Sequence, residues 1–280
     1  MVRKERHTIK HLIQLQDMVA ARAQQQAALP KQRLQQLDKN IETMTADLPL
    51  ELRTHFNRLI QKSIEAIVPI TGENCSGCGF VLIKTVVNSI NAGNELNRCP
   101  NCARILYAPD VPLTRTAPRR RWGDPIKRGI ERFTAPELMI PSLKGTTKEE
   151  ILMELCDNLC ANGYVEDCHD LNEAALRREA IVSTAVGNMM AFPHVRGVEG
   201  GGLTLSLGIS KKGIDFGGTT KTKVFFYMVI PTAASAFYLK LLSGLTQSFG
   251  TAEKRDTLTK VKTQQELWKA LIAGTKKTIT

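Results

Sequence analysis

No stretch of this 280-residue chain is long and apolar enough to suggest a membrane-spanning helix. The most apolar run, Val224 to Leu239, is flanked by Lys223 and Lys240 and interrupted by Pro231, whereas a span needs about 20 apolar residues. It reads instead as a buried strand, VFFYMVI, followed by a turn and a helix. The opening MVRKERHTIKHLIQ lacks the continuous apolar core and small-residue cleavage site of an export signal. The expectation is a cytoplasmic protein with no membrane association. Acidic side chains are also in deficit, 27 against 38 Lys plus Arg, for a net charge of +11. That imbalance favours acidic partners or nucleic acid. It is concentrated in residues 1–68 and 103–133, while the part from residue 134 onward is close to neutral. Histidine is sparse there, with only His169 and His194.

Residues 1–68 are rich in Gln, Ala, Leu and charge, a helical pattern with breaks expected at Pro30 and near Asp47 to Pro49. Between the breaks Leu34, Leu37, Ile41, Met44 and Leu48 alternate spacings of three and four, which is a coiled-coil seam. It is short, so self-association through the seam competes with a helical hairpin packing on itself. Residues 69–107 hold Cys75-Ser-Gly-Cys78 and Cys99-Pro-Asn-Cys102, the spacing of a small four-cysteine zinc ribbon. Each Cys-x-x-Cys turn directs two thiolates at one ion. Four thiolates leave no position for a substrate, so Zn2+ here would be structural. A redox dithiol pair is the lesser alternative, because no thioredoxin-like βαβ pattern surrounds either motif.

Residues 108–133 combine Pro109, Pro112, Pro118 and Pro125 with Arg119 to Arg121, Trp122, Lys127, Arg128 and Arg132. This is a basic, Pro-rich linker. Arginines beside a tryptophan can hold nucleic acid by phosphate pairing and base stacking, while a solvated tether needs no partner. From residue 134 to 280 the pattern becomes α/β. A capped helix begins at Thr146-Thr147 and stops at Gly163. A second helix, Asp170 to Ser183, delivers Arg178, and a strand from Met189 to Phe192 leads into His194. Leu203 to Ile209 and Val224 to Ile230 are further strands, and Ala233 to Phe249 and Thr263 to Ala273 close the domain as helices. Cys156, Cys160 and Cys168 read as small buried hydrophobes more readily than as a second metal site.

The stretch Arg177 to Gly202, RREAIVSTAVGNMMAFPHVRGVEGGG, concentrates the candidate chemistry. Pro193 stiffens the approach to His194. Gly187, Gly197 and Gly200 to Gly202 let backbone N–H groups come close to a ligand. A neutral imidazole is one of the few side chains able to attack phosphorus near neutral pH, and Arg178 could clamp the phosphoryl oxygens. An isolated Pro-His would more simply be a structural histidine at a strand end.

The pair is not isolated. With TTKEEIL from Thr146, Arg178-Glu179, Ser183-Thr184, Gly187-Asn188, Pro193-His194 and KKGIDF from Lys211, the segment from about Thr134 to Leu271 resembles the fructose/mannitol-class enzyme IIA domains of the bacterial phosphotransferase system. The nitrogen-regulatory proteins belong to the same group. The resemblance implies a mixed sheet flanked by helices. It further implies a phosphoryl group accepted by His194 from the carrier protein HPr or an equivalent donor, stabilised by Arg178 and positioned by Ser183 and Thr184. Phe192 and Val195 replace the smaller flanking residues usual in the family. The family's second histidine is missing after Pro231, where Tyr238 stands as a third phosphate-positioning residue able to donate one neutral hydrogen bond. The preceding helices, the two cysteine pairs and Arg104 to Tyr107 resemble bacterial proteins in which a coiled coil precedes a zinc ribbon, with Ala103 replacing a customary glycine.

The whole therefore predicts a helical segment, a zinc ribbon, a basic linker and an enzyme IIA-like domain acting in phosphotransfer-linked regulation. A regulated protein partner is implied, and a homo-oligomer could form through the coiled coil. The alternative is a protein- or nucleic-acid-binding module that has lost transfer chemistry.

Overall fold

The computed structural model describes residues 2–28, 34–63, 65–93, 95–108, 127–198, 202–231 and 235–280. The chain divides into two compact units, the first covering residues 1–26 and 31–112, the second residues 113–280 with 27–30. The expected break at Pro30 and the cluster Arg119 to Trp122 lie outside the described residues.

In the first unit, α1 (Val2–Ala28) and α2 (Gln35–Ala46) are followed by α3 (Leu50–Lys62), whose N-cap is Pro49. Of the short seam, Leu34, Leu37 and Leu48 are buried by the chain itself. Leu48 joins Leu12 and Leu15 of α1 in one apolar cluster, against which Ile41 and Met44 pack. The His11 Nε2–H donates to the Met44 carbonyl at 2.8 Å, and Arg22 pairs with Asp38. Within the chain, α1 and α2 thus pack on each other.

The helices and the four-cysteine segment are parts of one unit. The Gln16 carboxamide of α1 accepts from the Ala66 and Ile67 N–H groups at 2.6 and 2.8 Å and donates to the Ile67 carbonyl at 2.9 Å. It thereby ties the first helix to β1 (Ile67–Thr71). The sheet of this segment runs β2 (Asn74–Cys75), β1, β4 (Ile105–Tyr107), β3 (Asn97–Arg98), with α4 (Lys84–Ala92) ending at left-handed Gly93.

The second unit is a mixed α/β fold. Its sheet order is β5 (Met139–Ile140), β8 (Thr204–Ile214), β9 (Thr222–Pro231), with β6 (Met190–Ala191) and β7 (His194–Val198) lying successively along the far side of β9. β8 and β9 are antiparallel, and the other pairings are parallel. The burial of nearly every residue of β8 and β9 explains their continuous apolar reading. The covering helices are α5 (Lys148–Ala161), α6 (Cys168–Ile181), α7 (Ser235–Phe249), α8 (Ala252–Thr259) and α9 (Gln264–Thr275). Thr147 and Glu150 form a reciprocal capping box at the start of α5.

Several features differ from the sequence expectation, including the run of β8 on to Ile214. Residues 129–132 form a 3-10 turn, with Ile130 buried and Phe133 packed on the core. The Arg132 guanidinium donates to the Thr280 carbonyl at 2.8 Å. The folded part thus begins before residue 134, because two apolar side chains among the arginines have a core to enter. Met189 is not in a strand: Gly187, Asn188 and Met189 all have left-handed φ, making a tight turn before β6. α8 is an additional helix, whose polar composition gave little periodic signal; Leu258 is buried and Thr251 caps its start.

Candidate functional site

His194 is placed at the start of β7 by parallel pairing with Met228 of β9. Its side chain is only 2% exposed. From the last turn of α6, the Arg178 Nε–H donates to His194 Nε2 at 3.3 Å, while Arg178 Nη1 donates to the Val182 carbonyl at 3.0 Å. A guanidinium can only donate, so Nε2 carries the lone pair and Nδ1 carries the proton. The Phe192 carbonyl accepts that proton at 3.1 Å, and the Tyr238 hydroxyl lies 3.2 Å from the same nitrogen. The His194 and Tyr238 rings are tilted with centroids 5.0 Å apart. Burial, followed by the charges of Arg178 and Arg196, holds the imidazole pKa well below its ordinary value. His194 is therefore neutral, with its free electron pair toward a cation.

Arg196 did not figure in the sequence reading. Two residues beyond His194 on the same strand, it belongs to the same face by simple alternation, and that spacing is the signal that could have found it. Its guanidinium lies over the Tyr238 ring, 5.4 Å from the centroid. The pairing of β7 with β9 shifts register between Arg196 and Val198.

The structure brings Arg178 and Tyr238 to His194. It gives the hydroxyls of Ser183 and Thr184 other partners: Ser183 Oγ donates to the Phe216 carbonyl at 2.6 Å, and Thr184 Oγ1 to buried Glu179 at 2.7 Å. Their connection to the histidine is through backbone. The Phe192 N–H donates to the Thr184 carbonyl at 3.0 Å, which fixes the residue whose own carbonyl orients His194. Burial raises the Glu179 carboxyl pKa, against hydrogen bonds from Thr184 and the charge of Lys148. Of the glycines expected to admit a ligand, Gly202 has open space around it, and Gly200 and Gly201 lie outside the described residues.

In the first unit the Sγ atoms of Cys75, Cys78, Cys99 and Cys102 all lie within 4.8 Å of one another. The Cys75 to Cys102 and Cys78 to Cys99 separations are 3.8 and 3.6 Å. A tetrahedral ion with bonds of about 2.3 Å requires sulfurs about 3.8 Å apart, so the four thiols fit a metal. The knuckles repeat each other. Gly79 N–H donates to the Cys75 carbonyl and Ala103 N–H to the Cys99 carbonyl, and both Gly79 and Ala103 have left-handed φ, 74° and 60°. Arg104 braces the first knuckle, donating to the carbonyls of Gly77 and Glu65 at 3.0 Å each. His55 Nε2–H donates to the Ala103 carbonyl at 2.8 Å. Burial raises the pKa of Cys75 and Cys99; a bound cation reverses that balance by favouring thiolates. Cys156 is buried 3.3 Å from the Tyr227 hydroxyl, and burial pushes its thiol pKa up to about 12.

No helix among the described residues is long and apolar enough to cross a membrane. Residues 132–273 match the model of a family described as "phosphoenolpyruvate-dependent sugar phosphotransferase system, EIIA 2", slightly more than half of the chain. The chain is 28% identical over 138 residues to the fructose-specific EIIA component of a phosphotransferase system from Haloferax volcanii, covering 49% of this chain and 90% of that protein. It is 26% identical over 147 residues to a nitrogen regulatory protein from Pseudomonas aeruginosa, covering 51% and 94%. The crystal structure of nitrogen regulatory protein IIA-Ntr from Neisseria meningitidis aligns with a TM-score of 0.46 and 20% identity, over 50% of this chain and 96% of that one. Through its second unit, the chain belongs to the EIIA 2 family of the phosphoenolpyruvate-dependent sugar phosphotransferase system.

Proposed function

We propose that the second unit is a regulatory phosphoacceptor in which His194 takes a phosphoryl group on Nε2. The observation that carries this reading is the Arg178 N–H donated to that nitrogen, which leaves its lone pair on the side of a cation able to meet phosphoryl oxygens. The donor is a protonated phosphohistidine on HPr or an equivalent carrier. The Nε2 lone pair forms the new N–P bond as the donor's N–P bond breaks, and that electron pair returns to the donor nitrogen. The donor ring is left neutral with its own proton. His194 keeps its Nδ1 proton and becomes an imidazolium, held by the Phe192 carbonyl. Arg178 must move from the ring nitrogen to the phosphoryl oxygens during transfer. The phosphorylation state would then be read by a regulated protein partner.

In the first unit, Cys75, Cys78, Cys99 and Cys102 would hold a structural Zn2+. Four thiolates complete its coordination, so the ion supplies folding stability rather than catalysis. The basic segment around Arg119 to Arg121 would supply any nucleic-acid contact.

A second reading, a binding module that does not transfer phosphate, is favoured by the burial of His194 at 2% exposure. Incubation of the full chain with phosphoenolpyruvate, enzyme I and HPr separates the two. The expected result is one acid-labile phosphate per chain that disappears in His194→Ala. Label surviving His194→Ala would overturn the assignment, and an unlabelled wild-type chain would leave the binding module.

A further inference from the structure

Among the described residues, the buried Nε and Nη2 groups of Arg196 have no hydrogen-bond partner. Arg255 also leaves its Nε without one, but its Nη1 serves the carbonyls of Phe249 and Gly250, an evident structural task. Arg196 instead lies over Tyr238, whose hydroxyl is 3.2 Å from His194 Nδ1. Arg178 reaches the opposite ring nitrogen from α6. Two guanidinium groups, carried by different elements, therefore converge on one neutral imidazole. The acidic neighbour on α6, Glu179, is committed to Thr184 and approaches Lys148 at 3.9 Å.

Buried donors left without a partner, as Arg196 leaves two, are unfavourable. A guanidinium fork matches phosphate geometry, and a tetrahedral oxyanion would satisfy donors that the fold leaves bare. The register shift beyond Arg196 supplies a local reason for its direction, since such irregularities re-aim a strand side chain. We infer that Arg178 and Arg196 form a two-guanidinium clamp for a tetrahedral oxyanion of the phosphate class beside the His194 ring. The clamp binds the anion non-covalently and, where His194 is phosphorylated, holds the phosphoryl oxygens. That second part rests on the phosphoacceptor reading.

The test is titration of the full chain with inorganic phosphate, followed by side-chain N–H resonances of the arginines and by calorimetry. Wild type is expected to bind, with the Arg178 and Arg196 resonances shifting. Loss of one charged donor is expected to weaken binding roughly ten- to a hundredfold in Arg196→Gln, with part of the loss recovered in Arg196→Lys. Unchanged thermal unfolding would separate this effect from misfolding. Absence of phosphate binding by wild type, or equal binding by a folded Arg196→Gln variant, would overturn the clamp.

The covalent measurement is the decay of acid-labile label, expected to be about tenfold faster or more in Arg196→Gln. Equal decay in wild type and Arg196→Gln would overturn the phosphoryl-holding part. If wild type takes no label but binds phosphate through Arg196, the phosphoacceptor reading fails while the non-covalent clamp stands.

Discussion

The two units solve the problem of folding with different resources. In the four-cysteine segment, Cys75 and Cys99 are themselves part of the small buried cluster with Val68, Ile70, Leu82, Ile90 and Leu106. Phe80, Val81 and Ile83 remain exposed. In the second unit, Phe226 stacks with both Phe192 and Phe249, centroids 5.2 and 5.8 Å apart, and Phe216 meets Phe225 edge-on at 5.2 Å. A large apolar core can offset the unfavourable burial of a histidine and a carboxylate. The four-cysteine segment has little such reserve, and on the proposed metal reading an ion joining the four sulfurs supplies what its core lacks.

Removal of metal should expose this contrast most strongly. Structural zinc contributes roughly 10 kcal/mol or more to small fingers, well beyond the share available from so few apolar side chains. Chelation, or Cys99→Ser, should abolish hydrogen-exchange protection in β1 to β4 while leaving protection of β8 and β9 intact. Persistence of ribbon protection in demonstrably metal-free protein would break the comparison. Loss of protection in β8 and β9 would show that the second unit does not rest on its own core.

Much of this division was legible in the sequence because two chemistries leave short, rigid signatures. Cys-x-x-Cys pairs fix ligand spacing locally, and the Thr147 capping box and Gly163 stop bracket α5. The collinear motifs from Thr146 to Phe216 placed His194 beside Arg178. What remained hidden depended on partners distant in sequence. The seam of α2 could not reveal that Leu12 and Leu15 would cover it. Ile130 and Phe133 fall inside the stretch read as a basic linker, and only the core they enter marks them as part of the second unit. Ser183 and Thr184 have phosphate-binding chemistry, but Phe216 and Glu179 claim their hydroxyls. Arg196 drew no attention because its interest lies in donors that the described residues leave unpaired.

The pH response should sharpen the comparison inside the second unit. The folded-state pKa of His194 is lowered by burial and then by Arg178 and Arg196. Below the unfolded value of about 6.5, the unfolded chain binds a proton that the native site refuses. Stability is therefore retained above that pH and lost as pH falls, by up to about 1.4 kcal/mol per pH unit while native His194 stays neutral. Glu179 has the opposite sign: its raised folded-state pKa favours the native protein as acid is added through the carboxylate range. The difference between wild type and His194→Gln isolates the histidine. Denaturant unfolding from pH 7.5 to 5.5 should show a shallower acid loss in the variant; parallel curves would mean that His194 protonates as readily in the native state as in the unfolded chain.

The smallest effect compares the ribbon's knuckles with each other. Gly79 and Ala103 occupy equivalent left-handed positions after the second cysteine of each pair. Left-handed backbone costs a residue with a Cβ about 1–2 kcal/mol, but glycine adds about 0.4–1 kcal/mol of unfolded-chain entropy. Ala103→Gly should consequently stabilise the metal-loaded first unit by about 0.5–1 kcal/mol. Gly79→Ala should destabilise it by a similar amount, since nothing lies within 4 Å of the added Cβ and the backbone effect stands alone. Ala103 also packs against the helical cluster, and its carbonyl accepts from His55 at 2.8 Å; the first contact opposes the gain, while the second is kept by glycine. Ribbon unfolding midpoints measured at fixed free zinc decide the balance. A destabilised Ala103→Gly would mean that packing of one methyl group outweighs the strained φ, and a neutral Gly79→Ala would show that the first knuckle tolerates a side chain in its left-handed turn.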